Sequence, residues 1–294
     1  MTKHLVPLAV GISLLAGCAT MDAFKTLQTS VQSNGIVLSR AFHYAGKAHV
    51  YLTWIRPDGS TIQNIKRYKG ANFEATVTNP AAGTTFVEDT ANPALVSNTQ
   101  YSYKLTFAKD GNTSEVNRFI TPIEAPSDQA TLVEPYFGGD KNVVLTASTT
   151  PTLKWKKLAL ALPATQTLSY MVTIAKHDPA SLTDPTQLSA NAGAAMDVAY
   201  SALIDPSKHE NGENIEVTYG TKSDIGLAAE LMQALENAGN SGGNNLSALK
   251  PKDTNVLPLV AGEKYAWTVA PIVVTKDQTA FALGNLATPY FFQD

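Results

Sequence analysis

From Ile36 onward the apolar residues fall on alternate positions in short runs, each ended by turn-forming residues. His49-Val50-Tyr51-Leu52-Thr53-Trp54-Ile55 is such a run, rich in β-branched and aromatic side chains, and Pro57-Asp58-Gly59-Ser60 ends it. Residues 62–68, 76–78, 84–87, 101–107 and 116–121 continue the series. Successive side chains on a strand point to opposite faces, so period two lets each run bury one face and leave the other in water. Many short runs with frequent turns predict packed antiparallel sheets, an all-β sandwich rather than a helical bundle.

The pattern occurs twice. In the first copy Trp54 lies in an early strand, and Leu95-Val96-Ser97-Asn98-Thr99-Gln100-Tyr101 places a Leu six residues before a strand-opening Tyr. In the second, Pro151-Thr152-Leu153-Lys154-Trp155 supplies the Trp strand, and Leu259-Val260-Ala261-Gly262-Glu263-Lys264-Tyr265 repeats the Leu-to-Tyr spacing. A proline-punctuated joint, Pro122-Ile123-Glu124-Ala125-Pro126-Ser127, separates them. These residues resemble fibronectin type III-like or immunoglobulin-like domains. The resemblance implies that Trp54, Trp155, Trp267, Tyr101 and Tyr265 pack in cores, and that each strand-opening Tyr ties its hydroxyl back to nearby backbone. It also implies a fold shared by many functions, so the resemblance alone assigns none.

The two copies differ in length. The Trp-to-Tyr separation is 47 residues in the first (54 to 101) and 110 in the second (155 to 265), an excess of 63. The excess forms an insertion over about residues 176–257. Within it, residues 224–238 carry Leu227, Ala228, Leu231, Met232 and Leu235 at helical spacing, with Ser223 or Asp224 able to cap the start and Gly239 to end it. That apolar stripe suits either a cover over its own domain or a groove on a partner protein. The expected organisation is a leader over 1–17, a tether over 18–35, a first sandwich over 36–122 and a second, expanded one over 123–294.

The leader is read from Lys3 and His4, the apolar run from Leu5 to Leu15, and Leu15-Ala16-Gly17-Cys18. The run is short for a membrane span, and Cys18 is the single cysteine in the sequence, so no internal disulfide can form. Leu-Ala-Gly-Cys resembles the lipobox of bacterial lipoproteins. That resemblance implies cleavage before Cys18, a diacylglycerol thioether on its sulfur and acylation of the new amino terminus, with palmitate among the chains. Ala19 stands where an Asp would retain such a protein at the inner membrane, which points to the outer membrane in a Gram-negative host.

Composition and motifs narrow the chemistry further. Beyond residue 17 the chain keeps 21 basic and 25 acidic side chains, a net charge of −4, which argues against a nucleic-acid partner. The longest basic cluster, Lys154-Trp155-Lys156-Lys157, sits in a predicted strand and reads as a solvated strand face. No Gly-x-Ser-x-Gly elbow, His-Glu-x-x-His pair or phosphate-binding Gly-rich loop occurs, so neither a cofactor nor a catalytic set is expected. Ser247-Ala248-Leu249-Lys250 matches Ser-x-x-Lys, but Pro251 and the Gly/Asn-rich stretch before it oppose the helix that this chemistry needs. His43, His49, His177 and His209 are scattered, where zinc would need three or four converging ligands. Residues 205–216 are acidic and have the oxygen donors of a calcium loop without its alternation. Tyr44, Tyr51, Tyr68 and Tyr103 are the remaining aromatics whose direction would decide between packing and sugar stacking.

The expectation is a lipid-anchored binding, scaffolding or assembly protein of the cell envelope that is not an enzyme. It would contact membrane lipid through acylated Cys18, and an envelope or surface protein or a glycan through its β domains. A carbohydrate-binding accessory module would show a row of exposed aromatics on one sheet face. A hydrolase would show convergent carboxylates or a Ser/His pair in the expanded domain.

Overall fold

Each alternating run becomes a strand wherever it lies among the residues that the computed structural model describes: 35–44, 46–78, 86–135, 150–176, 198–226, 253, 256, 258–287 and 290–293. Cys18, the leader, the tether as far as residue 34, His177, residues 227–250 of the expected helix and its Gly/Asn-rich loop, and the Ser247–Lys250 match all lie outside the described residues. The chain is all-β, as the alternation predicts. Its described helical structure is one 3-10 turn, Pro206–Lys208, and no described helix is long and apolar enough to cross a membrane.

The chain divides into two compact units. Within the described residues, the first takes 35–39, 52–78, 86–93 and 101–119, and the second takes 40–51, 94–100 and 120–293. The early strands are β1 (Ile36–Tyr44), β2 (Lys47–Ile55), β3 (Thr61–Lys69), β4 (Asn72–Thr78), β5 (Phe86–Glu88), β6 (Tyr101–Lys109) and β7 (Asn112–Ile120). β3, β4, β6 and β7 form a four-stranded sheet in the order β4-β3-β6-β7, while β2 lies between β1 and β5. Alternation aims Ile65 and Arg67 of β3 inward with Tyr101, Tyr103, Leu105 and Phe107 of β6, all of them buried. Leu52 and Trp54 of β2 are buried as well. The Pro57–Ser60 turn forms as its residues dictate, with Gly59 at φ 73° and Ser60 N–H donating to Pro57 O at 3.0 Å.

The later strands are β8 (Thr131–Glu134), β9 (Thr152–Lys156), β10 (Gln166–Lys176), β11 (Val198–Ile204), β12 (Glu210–Asn211), β13 (Asn214–Thr218), β14 (Lys264–Thr275), β15 (Ala280–Leu283) and β16 (Tyr290–Gln293). One sheet runs β12-β13-β9-β8, and the other runs β11-β10-β14-β15 with β16 also on β14. Residues Ala41 to His43 of β1, which belong to this second unit, pair in parallel with Ala280 to Ala282 of β15. Trp155, Trp267, Tyr170, Tyr200 and Tyr265 centre the core between the two sheets, with Leu259 beside them. Val260 N–H donates to Tyr265 Oη at 2.9 Å, the backbone tie expected of the second strand-opening Tyr. The outer edge of β11 is partly covered, since Leu203 N–H donates to Ser223 Oγ at 3.0 Å and Leu203 O accepts Asp224 N–H at 2.8 Å.

Candidate binding face

The four-stranded sheet of the first unit carries aromatic side chains on its outer face. On β3 the inward positions are Ile65 and Arg67, so Lys66 and Tyr68 face outward. On β4 the register slips beside Arg67, pairing Arg67 with Ala75 and Tyr68 with Phe73 and leaving Glu74 as the extra residue. The slip brings Phe73 against Tyr68, ring centroids 5.8 Å apart and planes at 73°, with Phe73 56% exposed. On the other side Tyr68 pairs with Ser102 of β6 and Lys66 with Lys104. Asp110 and Gly111 (φ 49° and 80°) make the two-residue turn that joins β6 to β7. Counting back from that turn sets Phe119, 65% exposed, next to Ser102. Phe73, Tyr68 and Phe119 therefore lie along one row across the sheet. Below it Lys66 and Lys104 are neighbours, and Glu115 of β7 holds Lys104 at 2.6 Å.

Beneath this face is a buried charged cluster. Arg67 and Asp89 have fully buried side chains and pair at 2.7 Å from Nη1 to Oδ2. Tyr103 donates its hydroxyl to the same Oδ2 at 2.6 Å, and Ala91 N–H donates to Oδ1 at 3.0 Å. Arg67 Nη2 donates to Pro93 O and, at 3.4 Å, to Ala91 O. Its Cζ lies 5.6 Å from the Tyr101 ring centroid, and Glu74 Oε2 is 2.7 Å from Nε, a close ion pair out of line for a hydrogen bond. Burial drives the Tyr103 phenol far above its ordinary range and the Asp89 carboxylate pushes the same way, so Tyr103 stays a donor. Burial opposes the guanidinium's charge, but its bond to Asp89 and the Asp89 and Glu74 carboxylates around it hold it charged. Bonds from strand and loop satisfy the Asp89 carboxylate and both Arg67 Nη groups, so the cluster acts as a fixed support for residues 89–93.

The other residues singled out from sequence fall elsewhere. Trp54, Trp155, Trp267, Tyr101 and Tyr265 are buried, as are Tyr51 and Tyr103, which leaves Tyr68 as the outward-facing tyrosine of that group among the described side chains. Lys154 and Lys157 pair with Glu216 at 3.0 Å and with Glu210, while Trp155 between them is buried, so the basic cluster is a salt-bridged strand face. Glu210 and Glu216 of the acidic stretch 205–216 are the partners in those contacts. Asp205 Oδ1 accepts Ser207 N–H at 3.0 Å and its hydroxyl at 2.8 Å, and among the described residues no three His, Cys, Asp or Glu side chains are grouped to hold a metal.

The most catalytic-looking contact joins His209 Nε2 to Asp224 Oδ2 at 2.9 Å. Asp224 also accepts Asp205 N–H at 3.0 Å and faces Lys208 at 3.2 Å. Burial resists its ionisation, but the Asp205 N–H, Lys208 and His209 together hold its carboxyl below the usual range. Ser207 gives its hydroxyl to Asp205 and not to His209, and the His-Asp pair fastens residues 203–209 to 223–224. His49 stacks on Tyr51 at 6.4 Å, and His43 Nδ1 accepts Ala125 N–H at 2.9 Å. Of the row of Phe73, Tyr68 and Phe119, only Tyr68 was singled out from sequence. The signal for the row was the parity of Tyr68 against Ile65, hidden on β4 by the one-residue slip.

No family model matches the chain, and no curated protein matches it. Among solved structures 147 chains match, one being the FN1–FN3 domains of chicken CNTN1 in a crystal structure. There the identity is 11%, the TM-score 0.41, and the alignment covers 87% of this chain and 65% of that one. The all-β assignment rests on the strand pairing above.

Proposed function

We propose that this chain is a lipid-anchored, non-catalytic binding or scaffolding protein of the cell envelope, held at the outer membrane through acylated Cys18. In this reading it meets an envelope protein through the outer face of the β4-β3-β6-β7 sheet. The row of Phe73, Tyr68 and Phe119 is the observation that carries the reading. Aromatic side chains are enriched where proteins meet, and an outward sheet face needs none for its own stability. A flat sugar platform is less well served, because Tyr68 and Phe73 meet at 73° and do not share a plane. Two acyl chains on Cys18 would hold the protein stably at a bilayer, since each buried methylene contributes about 0.8 kcal/mol.

Replacing Cys18 by Ser is expected to move the protein from the membrane fraction to the soluble one and to abolish incorporation of labelled palmitate. Retention at the membrane without label would refute the anchor. Phe73→Ser with Phe119→Ser is expected to leave the fold intact and to remove the protein's crosslinked complexes in intact envelopes. Unchanged complexes would refute the face.

A further inference from the structure

We propose that His43 is a pH-operated latch for the strap formed by residues 122–127, closed while its imidazole is neutral and released when the ring is protonated at Nδ1. The strap and its anchors all belong to the second unit. Pro122 O accepts Asn98 N–H at 2.6 Å, and Asn98 Nδ2 donates to Glu124 Oε2 at 3.3 Å. Pro126 packs on Gly284 so closely that a Cβ there would lie 2.8 Å from the proline Cγ and carbonyl oxygen. Asn285 Nδ2 donates to Ser127 O at 3.2 Å. Between these anchors Ala125 N–H donates to His43 Nδ1 at 2.9 Å.

A backbone N–H can only donate, so Nδ1 must present its lone pair, and the ring is the neutral tautomer with its proton on Nε2. Protonation turns this acceptor into a donor facing a donor. Of the strap's anchors, His43 is the group that changes charge near neutral pH.

The groups around the ring favour the closed state. Burial, the largest influence, lowers the His43 value below the ordinary 6.5, and His49 of β2 lowers it further, while Glu124 and the Gly46 backbone pull it upward. β15, paired with β1 here, is Ala-Phe-Ala-Leu and brings no ionisable group. Since the closed form disfavours the imidazolium, its stabilisation is complete above 6.5 and is lost as pH falls through the lowered value. Glu124, the residue before Ala125 on the strap, is a carboxylate whose charge acts on the ring.

The test follows the Ala125 amide and the His43 ring of the full chain by NMR and hydrogen exchange from about pH 7.5 to about pH 5, corrected for intrinsic exchange. Ala125 protection should fall by about tenfold, with a midpoint that coincides with the His43 titration and lies below 6.5. His43→Gln, whose amide oxygen accepts without titrating, should keep the amide protected across the range. A pH-independent Ala125, a midpoint belonging to a carboxylate, or the same loss of protection in the Gln variant would each overturn the latch. Because wild-type protein supplies the primary readout, failure of the variant to fold leaves the test standing.

Discussion

The two units follow one strand grammar and fill their interiors differently. The first buries a guanidinium, a carboxylate and a phenol, with Arg67, Asp89 and Tyr103 linked at 2.6–2.7 Å. The second centres on aromatic and aliphatic groups, and the polar tips of three of its large rings reach backbone: Tyr170 Oη accepts Leu158 N–H, Tyr200 donates to Thr221 O, and Trp267 donates to Pro135 O, while Trp155 Nε1 is buried without a hydrogen-bond partner. A carbonyl or amide at the rim satisfies a tyrosine without bringing charge inside. A buried ion pair depends on both partners, because removing one strands the other in a medium that cannot solvate it. The units should therefore fail in different ways.

The sharpest break of the comparison is Arg67→Ala, expected to destabilise the first unit by about 3–5 kcal/mol through the orphaned Asp89 carboxylate. Trp155→Ala should cost the second unit a similar amount, about 3–5 kcal/mol, as a cavity. What separates them is rescue. Arg67→Met combined with Asp89→Leu should recover part of the Arg67 loss, because the fully buried carboxylate leaves with its partner and only the partly exposed Glu74 keeps its charge, whereas no second deletion refills the Trp155 cavity. Denaturant unfolding followed by peptide-resolved hydrogen exchange reads both, and an Arg67→Ala loss that persists in the double variant would break the distinction.

Gly284→Ala should destabilise the second unit by about 1–3 kcal/mol, since its Cβ would lie 2.8 Å from both Pro126 and Pro271. Thermal unfolding measures it, and a neutral result would mean that the strap yields. Tyrosine-to-phenylalanine exchanges make a finer probe. Tyr103→Phe removes a hydrogen bond to a carboxylate and should cost about 1.5–3 kcal/mol, against about 0.5–1.5 for Tyr265→Phe, which loses an amide contact. Equal losses would mean that Asp89 behaves as a neutral acceptor. The smallest effect is expected on the outer face, where Lys104→Ala should leave the unfolding midpoint unchanged because its pair with Glu115 is solvated.

Period two made the strands legible, and the resemblance to fibronectin type III-like domains implied the buried positions of Trp54, Trp155, Tyr101 and Tyr265. The alternation reports which positions face inward and is silent on what such a position does there. Arg67 stands at an inward position two residues from Ile65, yet composition places arginine outside, and Asp89, 22 residues away, becomes its partner only after β5 is in place. Phe73 was obscured in another way. Strict alternation on β4 aligns it with Ala75 and Val77, both inward, and the slip at Glu74 turns it out. Bulges and long-range pairings are tertiary events, and local sequence carries little trace of them.

The proposed contact surface lies in the first unit, since Phe73 and Phe119 belong to it while Val260, 54% exposed, belongs to the second. Site-specific photo-crosslinking in intact cells, with the reactive side chain at 73, 119 or 260 in turn, tests the central claim most directly. The account predicts the same protein adduct from 73 and 119 and none from 260. Adducts from 260 alone, or equally from all three, would contradict it.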